Sequence, residues 1–164
     1  MSGTPHAGYR PCAGVALANG AGEVFMGRRK GETGRYAWQM PQGGIDEGED
    51  ALVAARRELF EETNVRSASL IAEAPEWLAY DLPADARGRF GARYRGQTQK
   101  WFLFRFEGPL EEIDVLRPAG GAHKAEFSEW RWERWAALPG LVVPFKRAVY
   151  AQVVAWFAPL AAQP

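Results

Sequence analysis

The 164 residues suffice for one sizeable core, and a makeup 47% apolar, 13% aromatic and 24% charged fits a globular domain and argues against a disordered tail. Twenty basic residues balance twenty acidic ones, so no global field draws in a polyanion, and any charge that binds phosphate must be local. The lone Cys12 excludes an intrachain disulfide and a thiolate metal cluster, and neither a signal-peptide core nor a bilayer-length apolar run occurs, so we expect a cytoplasmic protein without membrane contact.

The first expected element is a β-hairpin, residues 13–18 and 23–29 around the turn signal Asn19-Gly20-Ala21-Gly22. Residues 30–48 read as loop, punctuated by Gly31, Gly34, Pro41, Gly43, Gly44 and Gly48. A helix follows from about Glu49 to Thr63, opened by carboxylates suited to its positive end and stopped at Asn64, which tolerates a left-handed turn. Strands are expected near 70–72, 76–80, 98–106 and 129–132. The third carries so many aromatics that it should cross the core. A last helix, about Pro144–Phe157, starts at a proline and packs through Val149, Val153, Trp156 and Phe157. With no repeat, no linker and no regular βαβ rhythm, the class is α+β or an α/β/α sandwich in a single domain over 1–164.

The chemistry lies in residues 43–65, GGIDEGEDALVAARRELFEETNV. At about 100° per residue, Glu58, Glu61 and Glu62 share one face, next to an apolar stripe of Leu52, Ala55 and Leu59. Glu58 and Glu62 repel by a few tenths of a kcal/mol if exposed, so their concentration beside a core calls for a compensating cation. A donor set of oxygen without His or Cys suits Mg²⁺, or Mn²⁺ in its place. A solvated acidic face is the plain alternative. Against it stands the spacing of Gly43, Glu49, Arg57, Glu58, Leu59, Glu61 and Glu62, whose coincidence is on the order of 10⁻⁸ per start position.

These residues, with Val65, resemble the Nudix box; the departure is Asn64, where that family carries glycine. The resemblance implies the Nudix fold, a mixed β-sheet flanked by helices with a loop–helix–loop metal motif. It implies that Arg57 pairs with Glu49, and that Glu58, Glu61, Glu62 and the Gly43 carbonyl surround the metal. It further implies hydrolysis of a phosphoanhydride bond. The flanks Tyr9-Arg10-Pro11, 38–44 (WQMPQGG), 97–102 (QTQKWF), 126–132 (EFSEWRW) and 144–150 (PFKRAVY) resemble one Nudix subgroup over about 8–158. That subgroup comprises RNA pyrophosphohydrolases and asymmetric diadenosine tetraphosphate hydrolases. The substrate expected is therefore a triphosphorylated RNA 5′ end or, alternatively, a dinucleoside polyphosphate, with no stable protein partner. A non-catalytic nucleotide- or RNA-binding module and a sanitiser of damaged triphosphates are the competing readings.

The same resemblance makes Glu126 the carboxylate supplied from outside the helix. Glu58 is the first choice for the base that activates water, and Glu126 the second. Arg10, Arg28, Arg29, Lys100 and Lys146 are candidates for the local positive charge, and by resemblance Arg10, Gln99 and Lys146 approach substrate. Tyr80 is a candidate for stacking on a base. The loop 85–97 interleaves Arg87, Arg89, Arg93 and Arg95 with Phe90 and Tyr94, a pattern suited to single-stranded ends or to a solvated loop. His6 and His123 lack a paired Ser or Cys motif, which argues against a nucleophilic triad, and Cys12 reads as a small buried residue.

Overall fold

The computed structural model describes residues 3–86, 88 and 93–163; Arg87, Arg89 and Phe90 of the arginine-rich loop lie outside them. The described residues form strands β1 (Arg10–Ala18), β2 (Val24–Arg29), β3 (Trp38–Gln39), β4 (Gln42–Gly44), β5 (Ala68–Glu73), β6 (Leu78–Asp81), β7 (Gly96–Phe106) and β8 (Phe127–Glu133). Two helices, α1 (Ala51–Thr63) and α2 (Arg147–Ala161), complete the frame. The path through the sheet is β3-β2-β1-β7-β5, with β4 on β1, β6 on β7 and β8 on β2. Since β1 runs parallel to β7 and the other pairings are antiparallel, the sheet is mixed.

Alternation along the strands builds two cores. Ala13, Val15, Leu17, Phe25, Phe102 and Phe104 face α1, which buries Ala54, Ala55 and Leu59. Ala16, Ala18, Met26, Trp101 and Leu103 face α2, which buries Val149, Tyr150, Val153 and Phe157. The expected α/β/α sandwich is what the chain forms, although Leu52 and Trp156 are only half-buried and Tyr150 is buried on α2 beside Val149, Val153 and Phe157. Among the described residues, no helix is long and apolar enough to cross a membrane.

One irregularity makes the cleft. Asn19 Oδ1 accepts from the Ala21 and Glu23 N–H groups at 3.0 and 2.9 Å, and the hairpin closes as expected. Yet β1 and β2 pair only at Ala18↔Val24 and then part. The segment 38–44 fills the gap: β3 pairs β2 at Gly27↔Gln39, and β4 pairs β1 at Ala13↔Gly43. Both short strands lie within the stretch expected to be loop. The Met40 N–H donates to Tyr150 Oη at 2.8 Å and ties this segment to α2. At the chain's far end, 144–146 is a 3₁₀ turn and α2 proper runs on to Ala161.

Candidate active site

The loop and helix that carry the acids are joined by one guanidinium. Asp50 caps α1, its carboxylate accepting from the Leu52 and Val53 N–H groups. Arg57 Nε and Nη2 then grip both oxygens of Glu49 at 2.8 and 2.9 Å, and Nη2 also donates to the Gly44 carbonyl at 2.9 Å. Its Nη1 donates to Glu58 at 2.9 Å and to Glu61 at 3.1 Å. The bidentate hydrogen bonds from Arg57 hold the Glu49 carboxyl below its ordinary pKa.

Beyond this knot lies a cavity of about 360 Å³. Glu58, Glu61 and Glu62 of α1 form one wall, Gln42, Gly43 and Gly44 of β4 with Gln39 a second, and His123, Lys124 and Glu126 a third. Arg10 enters beside Gly44. A Cβ at Gly43 would overlap the Glu58 carboxylate, so only glycine lets backbone and acid approach so closely. Burial raises the Glu58 carboxyl above its usual value despite the adjacent Arg57. Glu62 is pushed much further, by burial first and then by the negative charges of Glu58 and Glu126. Its Oε2 is buried without a hydrogen-bond partner.

An orphaned carboxylate oxygen amid other acids is the arrangement a hard cation completes. Among the described residues, no three acidic, His or Cys side chains converge as a ready-made cage. Glu58 and Glu61 each lend an oxygen to Arg57 instead. The donor set fits Mg²⁺, which keeps waters and substrate oxygens among its ligands.

Arg10 also lines a second cavity, of about 280 Å³, with Arg29, Tyr80, Tyr94, Gln97, Phe145 and Lys146. The Tyr80 and Phe145 rings lie 5.8 Å apart, and Tyr80 Oη donates to Gln97 Oε1 at 2.7 Å. Lys146 Nζ donates to Gln39 Oε1 at 3.3 Å, and burial followed by the charge of Arg29 lowers its pKa to about 8.

The structure gathers Gly43, Glu58, Glu61, Glu62, Glu126 and Arg10 at the first cavity, and Arg29, Tyr80 and Lys146 at the second. Gln99 stands behind both, its Nε2 donating to Gln42 and Gln97 at 3.1 Å each. Lys100 is a correction. It is buried, with Nζ donating to the Ala74 carbonyl and 3.3 Å from Glu73, because its strand position turns it toward the end of β5. Arg28 lines neither cavity and pairs with Glu129 at 3.6 Å. In the loop before β7, Arg95 bonds Asp81 at 3.2 Å and Tyr94 reaches the second cavity. Sequence reasoning left Gln39, Gln42, His123, Lys124 and Phe145 without roles. The glutamines stand in the 38–44 motif and Phe145 in the 144–150 motif, while His123 and Lys124 lie within three residues of Glu126; these neighbourhoods were the available signals.

A model of the NUDIX domain matches residues 8–157. The chain is 56% identical over 158 residues to an RNA pyrophosphohydrolase of Bradyrhizobium sp. (strain ORS 278), covering 93% of this chain and 94% of that protein. It is 52% identical over 154 residues to the RNA pyrophosphohydrolase of Azorhizobium caulinodans (strain ATCC 43989 / DSM 5975 / JCM 20966 / LMG 6465 / NBRC 14845 / NCIMB 13405 / ORS 571), covering 91% and 92%. Among solved structures, its fold is similar to the E. coli dihydroneopterin triphosphate pyrophosphohydrolase, at TM-score 0.66 and 21% identity over 92% of this chain and 97% of that one. It is similar also to a C. elegans Ap4A hydrolase, at TM-score 0.59 and 18% identity over 90% and 98%.

Proposed function

The chain belongs to the Nudix family, and from that footing we propose that it is an RNA pyrophosphohydrolase, releasing pyrophosphate from triphosphorylated RNA 5′ ends. The observation that carries this reading is the pairing of two cavities through Arg10: one walled by four glutamates, the other by aromatic rings and cationic side chains. A polyphosphate attached to a nucleoside needs both.

In this reading Tyr80 and Phe145 receive the 5′ base, while Arg29 and Lys146 meet the phosphate next to the nucleoside. Arg10 holds the chain of phosphates where the cavities join. Gln99 fixes the amides of Gln42 and Gln97, one in each cavity. Glu58, Glu61, Glu62, Glu126 and the Gly43 carbonyl would hold a divalent cation, for which we propose Mg²⁺, with Mn²⁺ as substitute. Such an ion supplies charge neutralisation at the phosphoryl oxygens and eases attack by water. Glu58, its pKa raised by burial, takes the proton from that water at a carboxylate oxygen, with Glu126 the second choice. Arg57 orients Glu58 and Glu61 and locks the loop against the helix. The buried, reduced Cys12 suits the cytoplasm, where we place the protein.

The second reading, asymmetric cleavage of a dinucleoside polyphosphate, uses the same cavities. A non-catalytic module is opposed by the full set of acids. Rates on 5′-triphosphorylated RNA, diadenosine tetraphosphate and free nucleoside triphosphates, each with Mg²⁺, test the proposal. The expected order puts the RNA first. Faster cleavage of the dinucleotide would replace the reading with the second, and binding of RNA without pyrophosphate release would replace it with the third.

A further inference from the structure

We propose that Lys124 is a substrate-contacting residue that holds the terminal phosphate of the polyphosphate, on a loop that Asn64 staples to the end of the acid-bearing helix. The inference rests on the pyrophosphohydrolase reading above.

Lys124 is exposed and lines the glutamate-walled cavity, yet it makes no hydrogen bond or ion pair to any described residue. A cation unpaired among the described residues, beside Glu58, Glu61, Glu62 and Glu126, is available to an anion that enters among them. Its position gives it a direction. Arg10 is shared by the two cavities, Arg29 and Lys146 line only the aromatic one, and Lys124 lines only the other. With the nucleoside at Tyr80 and Phe145, the phosphates run past Arg10, and the third wall of the far cavity meets their distal end.

The loop that presents Lys124 is built to stay there. Asn64 closes α1 in the left-handed region, φ 69°, at the position where the resembled family has glycine. The asparagine side chain adds what glycine cannot. Its Nδ2 donates to the Glu112 carbonyl at 3.0 Å, and its Oδ1 accepts from the Gly120 N–H at 2.9 Å. Residues 119–121 bend through positive φ at Ala119, Gly120 and Gly121 before turning into the cavity. His123 Nε2 then comes within 3.6 Å of Glu61 Oε1, a second tether. One residue thus caps the helix bearing three of the acids and anchors the loop bearing the fourth acid and the lysine.

Charge builds on the leaving pyrophosphate during cleavage, so a lysine at its end acts more strongly in the transition state than on the bound substrate. The test uses the full chain with RNAs of one sequence carrying a 5′-triphosphate or a 5′-diphosphate, which lacks the terminal phosphate. We expect Lys124→Ala to lower kcat/KM on the triphosphate about tenfold and on the diphosphate less than about threefold, with Lys124→Arg restoring most of the loss. Melting should not move, because the side chain is exposed. Asn64→Gly should keep the fold and show the same triphosphate-selective loss. Equal effects of Lys124→Ala on both RNAs, or none, would overturn the assignment. Full activity of Asn64→Gly would overturn the staple. A wild type inactive on both RNAs would instead sink the hydrolase reading beneath it.

Discussion

Glu62 combines a buried carboxyl, one unpartnered oxygen and a pKa well above the ordinary range. A carboxyl raised by folding binds its proton more readily in the folded chain than in the unfolded one. Between those two pKa values, stability therefore falls as pH rises. Chelated protein should gain melting temperature as pH is lowered toward the ordinary carboxylate range, and Glu62→Gln should flatten that slope while melting higher at the upper end. A chelated protein whose melting ignores pH over this window would contradict the burial argument. Lys146 supplies the opposite sign. Its pKa of about 8 means that its charge drains away above that pH, so KM for triphosphorylated RNA should climb there. In Lys146→Arg, always charged, KM should stay level if the group binds phosphate. Lys100 shows where residue-by-residue reading fails. A lysine amid a predicted strand and a substrate-binding motif reads as positive charge for the phosphates, but only the placement of the Ala74 carbonyl reveals a buried structural side chain.

Across elements, the loop–helix junction depends on Arg57, which serves Glu49, Glu58, Glu61 and the Gly44 carbonyl together. Lysine cannot reproduce that fork, so Arg57→Lys should lower stability by about 1–3 kcal/mol in denaturant unfolding and reduce kcat at the same time. Loss of stability without loss of turnover would separate the knot from the chemistry. Helix α1 was legible beforehand because Asp50, the apolar stripe and Asn64 are local signals at its start, face and stop. Strands β3 and β4 were not. Each is three residues or fewer, and their pairing with β2 and β1 is a tertiary event that a glycine- and proline-rich stretch does not advertise. The box acids were therefore readable as a group. The second cavity was readable only as scattered residues, since Arg10, Tyr80, Phe145 and Lys146 meet across 136 positions of chain (from 10 to 146).

At the scale of the whole molecule, one mixed sheet serves as floor for two apolar layers and as frame for the cleft where β1 and β2 diverge. Phe157, buried in the core on the face opposite α1, lines neither cavity, so its truncation probes packing apart from chemistry. Phe157→Ala should cost about 3–5 kcal/mol in unfolding yet leave kcat/KM near wild type while the chain is folded. The central claim is that the clustered glutamates act on phosphoanhydride through a divalent ion, and pyrophosphate release from triphosphorylated RNA measures it directly. The account predicts release by the wild type in Mg²⁺, abolition by a chelator with recovery on adding the ion back, and a loss of about 10²-fold or more in folded Glu62→Gln. Undiminished release from chelated protein, or from that variant, would contradict it.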